Sequence, residues 1–396
     1  MTTRWYREMA IRTLAIANYR SLREVVLPLD QLTIITGANG SGKSNLYRAL
    51  RLLSDTAMGG AIPSLAHEGG INSAVWAGPE TFVKDVKKNH LPVQGGPRKK
   101  PVNLKLGFAS DNFSYSVEFG LPVPQKPSSA FDHDPASAKQ FGTETDGVPL
   151  QQADRHGSLV HVRDSRGKWQ TASDNLARYD SMLTQIADPT LAPEVLILRD
   201  RIRSWRFYDS FRTDEFSPAR QAQIGTHTPV LFHDGRDLAA ALQTIIEIGD
   251  VEGLETAIED AFPGAELWIE FDGGRFQVAF KQHGLLRPLS PAELSDGTLR
   301  YLLLVAALLT PRPPEFMVLN EPETSLHHEL VPALARLIRK ASETSQVWVV
   351  THLPMLAELL EENDRSQLIR LEKELGETHI QDQDPLNTPI WHWPSR

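Results

Sequence analysis

Two short stretches hold residue types spaced for phosphate chemistry. The first, GANGSGKS (37–44), fits G-x-x-x-x-G-K-[ST] at Gly37, Gly42, Lys43 and Ser44. Glycines such as Gly40 and Gly42 let backbone N–H groups turn inward around phosphate oxygens. The Lys43 ammonium reaches the β and γ oxygens, the Ser44 hydroxyl ligates Mg²⁺, and a following helix points its positive end at the anion. The loop Gly37, Ala38, Asn39, Gly40, Ser41, Gly42, Lys43, Ser44 and Asn45 is therefore the candidate cradle, with ATP and Mg²⁺ the expected ligands. The second stretch is FMVLNEPETSLHH (316–328), four apolar residues that read as a buried strand ending in Asn320-Glu321-Pro322-Glu323. Two acids usually stand there, one for a metal and one for a water. Asn320 keeps the hydrogen-bonding shape of an aspartate and loses its charge, so Mg²⁺ is expected to bind less tightly and through water. Glu321 remains to polarise an attacking water. Nucleotide binding with slow hydrolysis is the expectation.

These residues need strands and helices to hold them. Leu32–Ile35 reads as a strand before the glycine loop, and Leu46, Leu50 and Leu53 keep helical spacing after it. Upstream, IRTLAIANYRSLREVVLPL alternates like paired strands. A stretch rich in Pro, Gly, Ser and Asp follows, with short alternating runs NLKLGFA and FSYSVEFGL that suggest a small antiparallel sheet with long loops. Helical and strand patterns alternate again from Trp205, through an apolar helix at 298–309, the strand at 316–319, a helix near 328–342 and the strand VWVV (347–350). The fold class is α/β. The expected organisation is an N-terminal head segment at 9–77, a β-rich insertion at 78–200 and a C-terminal head segment at 201–396.

Ser295-Asp296-Gly297 opens the apolar helix. Read alone, Ser295 is an N-cap and Asp296 favours the positive helix end. The order of motifs adds a second reading: glycine loop, then L-S-D-G, then an apolar strand ending in Glu321, then His352 after VWVVT. That order resembles the ABC-type P-loop ATPase superfamily. The resemblance makes 294–297 the signature motif, 316–321 the Walker B strand, the stretch from Ser325 the D-loop and His352 the switch histidine. It implies that Ser295 and Gly297 meet a γ-phosphate held by a partner subunit, so that complete sites need two chains head to tail in a homodimer. It also gives Glu321, His352 and Lys43 catalytic roles. NYRS (18–21) before the glycine loop is similar to the SMC/RecF/OLD-like branch, which implies that Arg20 and Ser21 lie near the nucleotide; a solvated arginine on a strand edge is the other reading of Arg20. No glutamine stands out as a metal-sensing Q-loop residue.

Composition narrows the function. With 41 basic against 50 acidic residues the net charge is −9, which excludes a globally basic nucleic-acid coat. Without cysteine there is no thiol chemistry or cysteine zinc site. The longest apolar run, YLLLVAALL, is far shorter than the ~20 residues of a membrane span. The start, MTTRWYREMAIR, lacks an apolar leader segment, so the cytoplasm and no membrane are expected. A local basic cluster, Lys84, Lys87, Lys88, Arg98, Lys99, Lys100 and Lys105, reads either as a DNA phosphate contact or as a solvated loop. Arg199, Arg201 and Arg203 fit a helix face equally well. The resemblance implies a role in DNA maintenance, DNA repair or antiviral defence, with DNA or a separately encoded effector as partner. A nucleotide-gated sensor with little turnover is the alternative, and a transporter subunit a more distant one.

Overall fold

The structure of the protein, a computed structural model, describes residues 10–79, 103–120, 136–144, 150–164, 166–209, 211–362, 365–383 and 388–394. The basic residues Lys84, Lys87, Lys88, Arg98, Lys99 and Lys100 lie outside the described residues. The chain forms two units. One contains Met1–Leu29, Gly37–Ser204 and Ile369–Arg396, and the other Asp30–Thr36 and Trp205–Leu368.

The first unit begins with β1 (Ile11–Tyr19) and β2 (Leu22–Pro28), antiparallel with Ile16 opposite Val25. Next along the chain is β3 (Leu32–Gly37), which passes from the second unit into the first. An antiparallel run of β4 (Leu104–Ser110), β5 (Phe113–Gly120), β6 (Ala136–Glu144), β7 (Leu150–His156), β8 (Leu159–Arg163) and β9 (Trp169–Ser173) follows. These strands join the first two in one eight-stranded sheet, ordered β2-β1-β4-β5-β6-β7-β8-β9. The stretch expected as an insertion at 78–200 thus extends a sheet that the N-terminal strands begin, with Leu106 opposite Ile16. Helix α1 (Lys43–Met58) turns Leu46, Leu50 and Leu53 inward, as their spacing predicts. Helices α2 (Ala61–His67) and α3 (Pro193–Ser204) belong to the same unit. Arg155 is fully buried, and its guanidinium donates to the carbonyls of Gly157, Ala177 and Asp180, tying β7 to the loop beyond β9. Burial lowers its pKa to about 10.

In the second unit β10 (Arg206–Tyr208), β14 (Phe316–Asn320), β15 (Gln346–Val350) and β3 lie side by side, all parallel. Strands buried on both faces carry continuous apolar runs rather than alternation, which is why FMVL and VWVV read so plainly. A smaller sheet, β11 (Gln223–Ile224), β12 (Glu266–Asp272) and β13 (Arg275–Lys281), has β13 in the middle. The core joins α4 (Leu238–Ile248), α5 (Val251–Ala261), α6 (Asp296–Leu308), α7 (Val331–Ala341) and α8 (Pro354–Glu361) to the parallel strands. Helix α6 is buried around its whole circumference, every residue from Thr298 to Leu308, with Arg300 the one charged side chain among them. Near the C-terminus β16 (Ser366–Glu374) and β17 (Glu377–Ile380) form a hairpin.

Candidate functional site

The glycine loop belongs to the first unit. Gly37, Gly40 and Gly42 all have positive φ. A Cβ on Gly37 would strike the Leu371 carbonyl and the Ser41 hydroxyl, and one on Gly42 would strike Thr378, whereas Gly40 faces open space. Ala38, Asn39 and Gly40 are exposed while Ser41, Gly42 and Lys43 are buried. The loop is thus anchored on one side and open on the other. Lys43 donates its ammonium hydrogens to the Gly37 carbonyl and, at 3.2 Å, to that of Ala38. Helix α1 starts without a side-chain cap and without an acid in its first turn. Its positive dipole end is therefore not offset by a side-chain cap or an acid, which suits an external anion. The Ser41 hydroxyl is buried without a hydrogen-bond partner, and the Ser44 hydroxyl is exposed one residue into the helix. This donor set fits a polyphosphate, with Ser44 the residue that would hold Mg²⁺.

Beneath the loop runs a hydrogen-bond chain that sequence reasoning missed in part. Asn45 donates to the Ser21 hydroxyl at 2.8 Å, Ser21 meets Thr378 Oγ1 at 2.7 Å, and Thr378 donates to the Ser41 carbonyl at 2.8 Å. Ser21 is buried and supports the loop. Thr378, on β17, carried no signal in the sequence. Arg20, in the tight turn after β1, pairs with Glu68 at 2.9 Å, and the Tyr19 hydroxyl reaches the same carboxylate at 2.8 Å. Burial, helped by Glu68, raises the Tyr19 pKa and keeps the phenol protonated. The second basic stretch is engaged within the unit. The Arg201 guanidinium lies 4.0 Å from the Phe113 ring centre, Arg203 donates to the Ala57 carbonyl at the end of α1, and Arg199 pairs with Asp200.

The remaining site residues belong to the second unit. Asn320 stands opposite Val350, and Val350 opposite Ile35, so β14, β15 and β3 reach their carboxyl ends level with one another. The glycine loop begins two residues after Ile35. In open parallel sheets ligands bind outside this edge. Glu321, the first residue past β14, takes a left-handed backbone at φ 48, a conformation uncommon for a side chain of its size. Backbone and side-chain contacts pin it there, the Thr324 N–H to its carbonyl at 3.1 Å among them. Its N–H donates to the Val350 carbonyl at 2.8 Å, and its own carbonyl accepts from Arg300 of α6 at 3.1 Å. Burial lowers the Arg300 pKa, against the pull of Glu323, Glu321 and Asp209. The Glu321 carboxylate is 42% exposed and lies 3.8 Å from His352 Nδ1.

Ser295 caps α6, its hydroxyl accepting from the Thr298 N–H at 3.1 Å. Asp296 is held at 2.7 Å by Arg220, whose guanidinium also donates to the Pro291 and Leu294 carbonyls. Gly297 abuts the loop after β14: a Cβ there would lie 2.9 Å from the Ser325 carbonyl, at a residue with φ 67. The start of α6 and the loop after β14 are therefore in backbone contact. Arg220 and Glu323 were not singled out from sequence; the acid two places after Glu321 was the available signal for Glu323.

A family model described as "AAA domain, putative AbiEii toxin, Type IV TA system" matches residues 32–358. No curated protein matches the chain. A crystal structure of an SMC head bound to the C-winged helix domain of ScpA is similar at a TM-score of 0.51 and 15% identity, over 93% of this chain and 97% of that one. The SMC head domain from Thermotoga maritima aligns at 0.44 and 15% identity, over 95% and 100% of the two chains. A Pyrococcus furiosus Smc head with an extended coiled coil, bound to the C-terminal domain of ScpA, aligns at 0.48 and 14%, over 93% and 95%. At such identities the likeness is one of fold, and the first of the three carries it. The α/β architecture expected from the motif order, an ABC-type P-loop ATPase head, is the architecture observed.

Proposed function

The chain belongs to the AAA-domain family whose model spans residues 32–358, and we propose that it is an ATPase that dimerises head to tail around ATP and Mg²⁺. In this reading the loop 37–45 takes the phosphates, and Lys43 neutralises the β and γ oxygens. Ser44 ligates Mg²⁺, with Asn320 contacting it through water. Glu321 polarises the attacking water, His352 contacts the γ-phosphate, and Ser295 and Gly297 approach the γ-phosphate of the partner's ATP. The observation that supports the reading is the level edge of the parallel sheet, Asn320 beside Val350 beside Ile35, the end of an open parallel sheet outside which ligands bind. Asn320 makes the ATPase a slow one, and it favours a second reading, a nucleotide-gated sensor with little turnover. The SMC head bound to a ScpA domain supports a separately encoded protein as effector. Action on DNA or in defence rests on the motif resemblance alone.

Glu321→Gln removes the water's acceptor and keeps the phosphate contacts, so ATP should be trapped and the dimer accumulate. Light scattering of that variant with saturating ATP and Mg²⁺ tests the composite site, and a mass that stays monomeric rejects it. Steady-state turnover of the unmodified chain, with and without DNA, separates ATPase from sensor.

A further inference from the structure

We propose that Glu323 is the positioning residue of His352, fixing the imidazole with a proton on Nδ1 and leaving Nε2 for the nucleotide or its attacking water. The proposal rests on the ATPase reading for its functional consequence and on geometry for its substance.

The Glu323 side chain is 5% exposed, against 42% for Glu321. A carboxylate removed from water persists only where charges and hydrogen bonds replace the solvent. Glu323 Oε1 gathers three groups, all from the segment that leaves β15. It accepts from the Thr351 hydroxyl at 2.5 Å and from the His352 N–H at 3.2 Å, and it faces His352 Nδ1 at 3.4 Å. The Thr351 hydroxyl in turn accepts from the Leu353 N–H at 3.0 Å. Backbone and ring of the histidine are thus referred to a single buried oxygen. Arg300, itself buried, supplies positive charge to the same carboxylate. The backbone of Glu323 is held as well, because its carbonyl accepts from the Leu326 N–H at 3.0 Å.

An ionised carboxylate accepts hydrogen bonds and donates none, so the ring nitrogen that faces it carries the proton. With the proton on Nδ1, a neutral ring presents Nε2 as an acceptor, and a charged ring presents it as a donor to phosphate. Glu321 Oε1 also lies within reach of Nδ1, at 3.8 Å, but Glu323 is the nearer and the buried acid, so the two are assigned different work. Glu321, half-exposed, acts on water, and Glu323, buried, acts through His352. The second oxygen of Glu323 is buried without a hydrogen-bond partner, so the carboxylate is tied to the histidine segment on one side only.

The test compares Glu323→Ala, His352→Ala and the double variant with the unmodified full chain, by ATP turnover and by the imidazole ¹⁵N shifts of His352, assigned by their loss in His352→Ala. The unmodified chain should show Nδ1 protonated, and Glu323→Ala should shift His352 toward the Nε2-protonated form. Glu323→Ala should lower kcat about 10-fold, the low end of what removing the carboxylate partner of a metal-bound histidine costs, with KM within about twofold. In the His352→Ala background it should cost nothing further. An unprotonated Nδ1, a ring signal unmoved by Glu323→Ala, or an equal loss in both backgrounds overturns the proposal. If the chain shows no turnover at all, the ATPase reading fails while the ¹⁵N shifts still decide the positioning role. Should Glu323→Ala fail to fold, Glu323→Gln keeps the volume. It should lower kcat several-fold, and only when His352 is present; an effect independent of His352 again rejects the role.

Discussion

Thr378→Val tests whether the hidden hydrogen-bond chain under the glycine loop shapes nucleotide binding. The Thr378 hydroxyl has one hydrogen, and it goes to the Ser41 carbonyl. Thr378 must therefore accept from Ser21, and Ser21 in turn accepts from Asn45, so the chain has one sense. Valine fills the same volume and ends both contacts of Thr378. Ser21, Ser41 and Thr378 are each 6% exposed or less, so water does not readily replace them. Each lost bond is worth about 1 kcal/mol net, and a buried polar group left unsatisfied costs about 1–3 kcal/mol. A total of about 2–4 kcal/mol follows. At roughly 2–4 °C per kcal/mol for 150–250 residues, and less for a longer chain, the melting temperature should fall by a few degrees. The freed Ser41 carbonyl lies in a loop whose neighbours Gly40 and Gly42 have positive φ, so the peptide is free to turn and the loop loses its preset shape. If about 1.4 kcal/mol of the cost falls on binding, the ATP Kd rises about tenfold. Calorimetric titration with ATP and thermal unfolding read the two parts, with Thr378→Ser as the control that keeps the hydroxyl. Unchanged ATP affinity beside a lowered melting temperature would refute the link between this chain and the loop.

Gly297→Ala places a Cβ 2.9 Å from the Ser325 carbonyl, too close for an unshifted backbone, so it should displace the loop after β14 and reduce turnover at least several-fold while ATP affinity measured by titration stays unchanged. Ser295→Arg should abolish the ATP-dependent dimer of Glu321→Gln in light scattering, and the lost cap should cost about 1 kcal/mol in unfolding. Asn320→Asp restores a carboxylate at the metal and should raise turnover most at limiting Mg²⁺, by a few kcal/mol of Mg²⁺ affinity at most. A flat or falling rate in a Mg²⁺ titration would mean that the site works around an amide.

What could be read in the sequence was what depends on neighbours along the chain. The loop 37–45 declares itself because glycines at fixed offsets serve positive φ, and Phe316–Leu319 and Val347–Val350 because burial on both faces demands unbroken apolar runs. The contacts that lock these pieces come from residues distant in sequence and ordinary in type. Thr378 reaches Ser41, Arg300 reaches Glu321, and Arg220 reaches Asp296. No local pattern distinguishes such a threonine or arginine from a surface one. The stretch 78–200 looked separate because its composition changes, yet strand pairing is a property of edges, and β4 found the free edge of β1. Arg201 and Arg203 likewise looked available to a nucleic acid until their guanidinium groups were seen on Phe113 and Ala57.

Ser295 shows why one residue can satisfy a bland and a specific reading together. As a cap its oxygen accepts from the Thr298 N–H, which uses a lone pair and leaves the hydroxyl hydrogen uncommitted. In this structure that oxygen also stands 2.8 Å from Thr298 Oγ1, a contact in which either atom can donate. Rotating the hydroxyl hydrogen outward would direct it to an external acceptor without breaking the cap. Thr298 Oγ1 loses nothing in the exchange, since it can then donate to Ser295. A phosphate arriving at the start of α6 would meet a hydroxyl donor and a positive helix end that are already in place. Asp296 beside it is the opposing charge, and Arg220 engages that carboxylate at 2.7 Å. In the proposed head-to-tail dimer, the same cap that starts the helix would serve the γ-phosphate of ATP held by the second chain, with one hydrogen rotated.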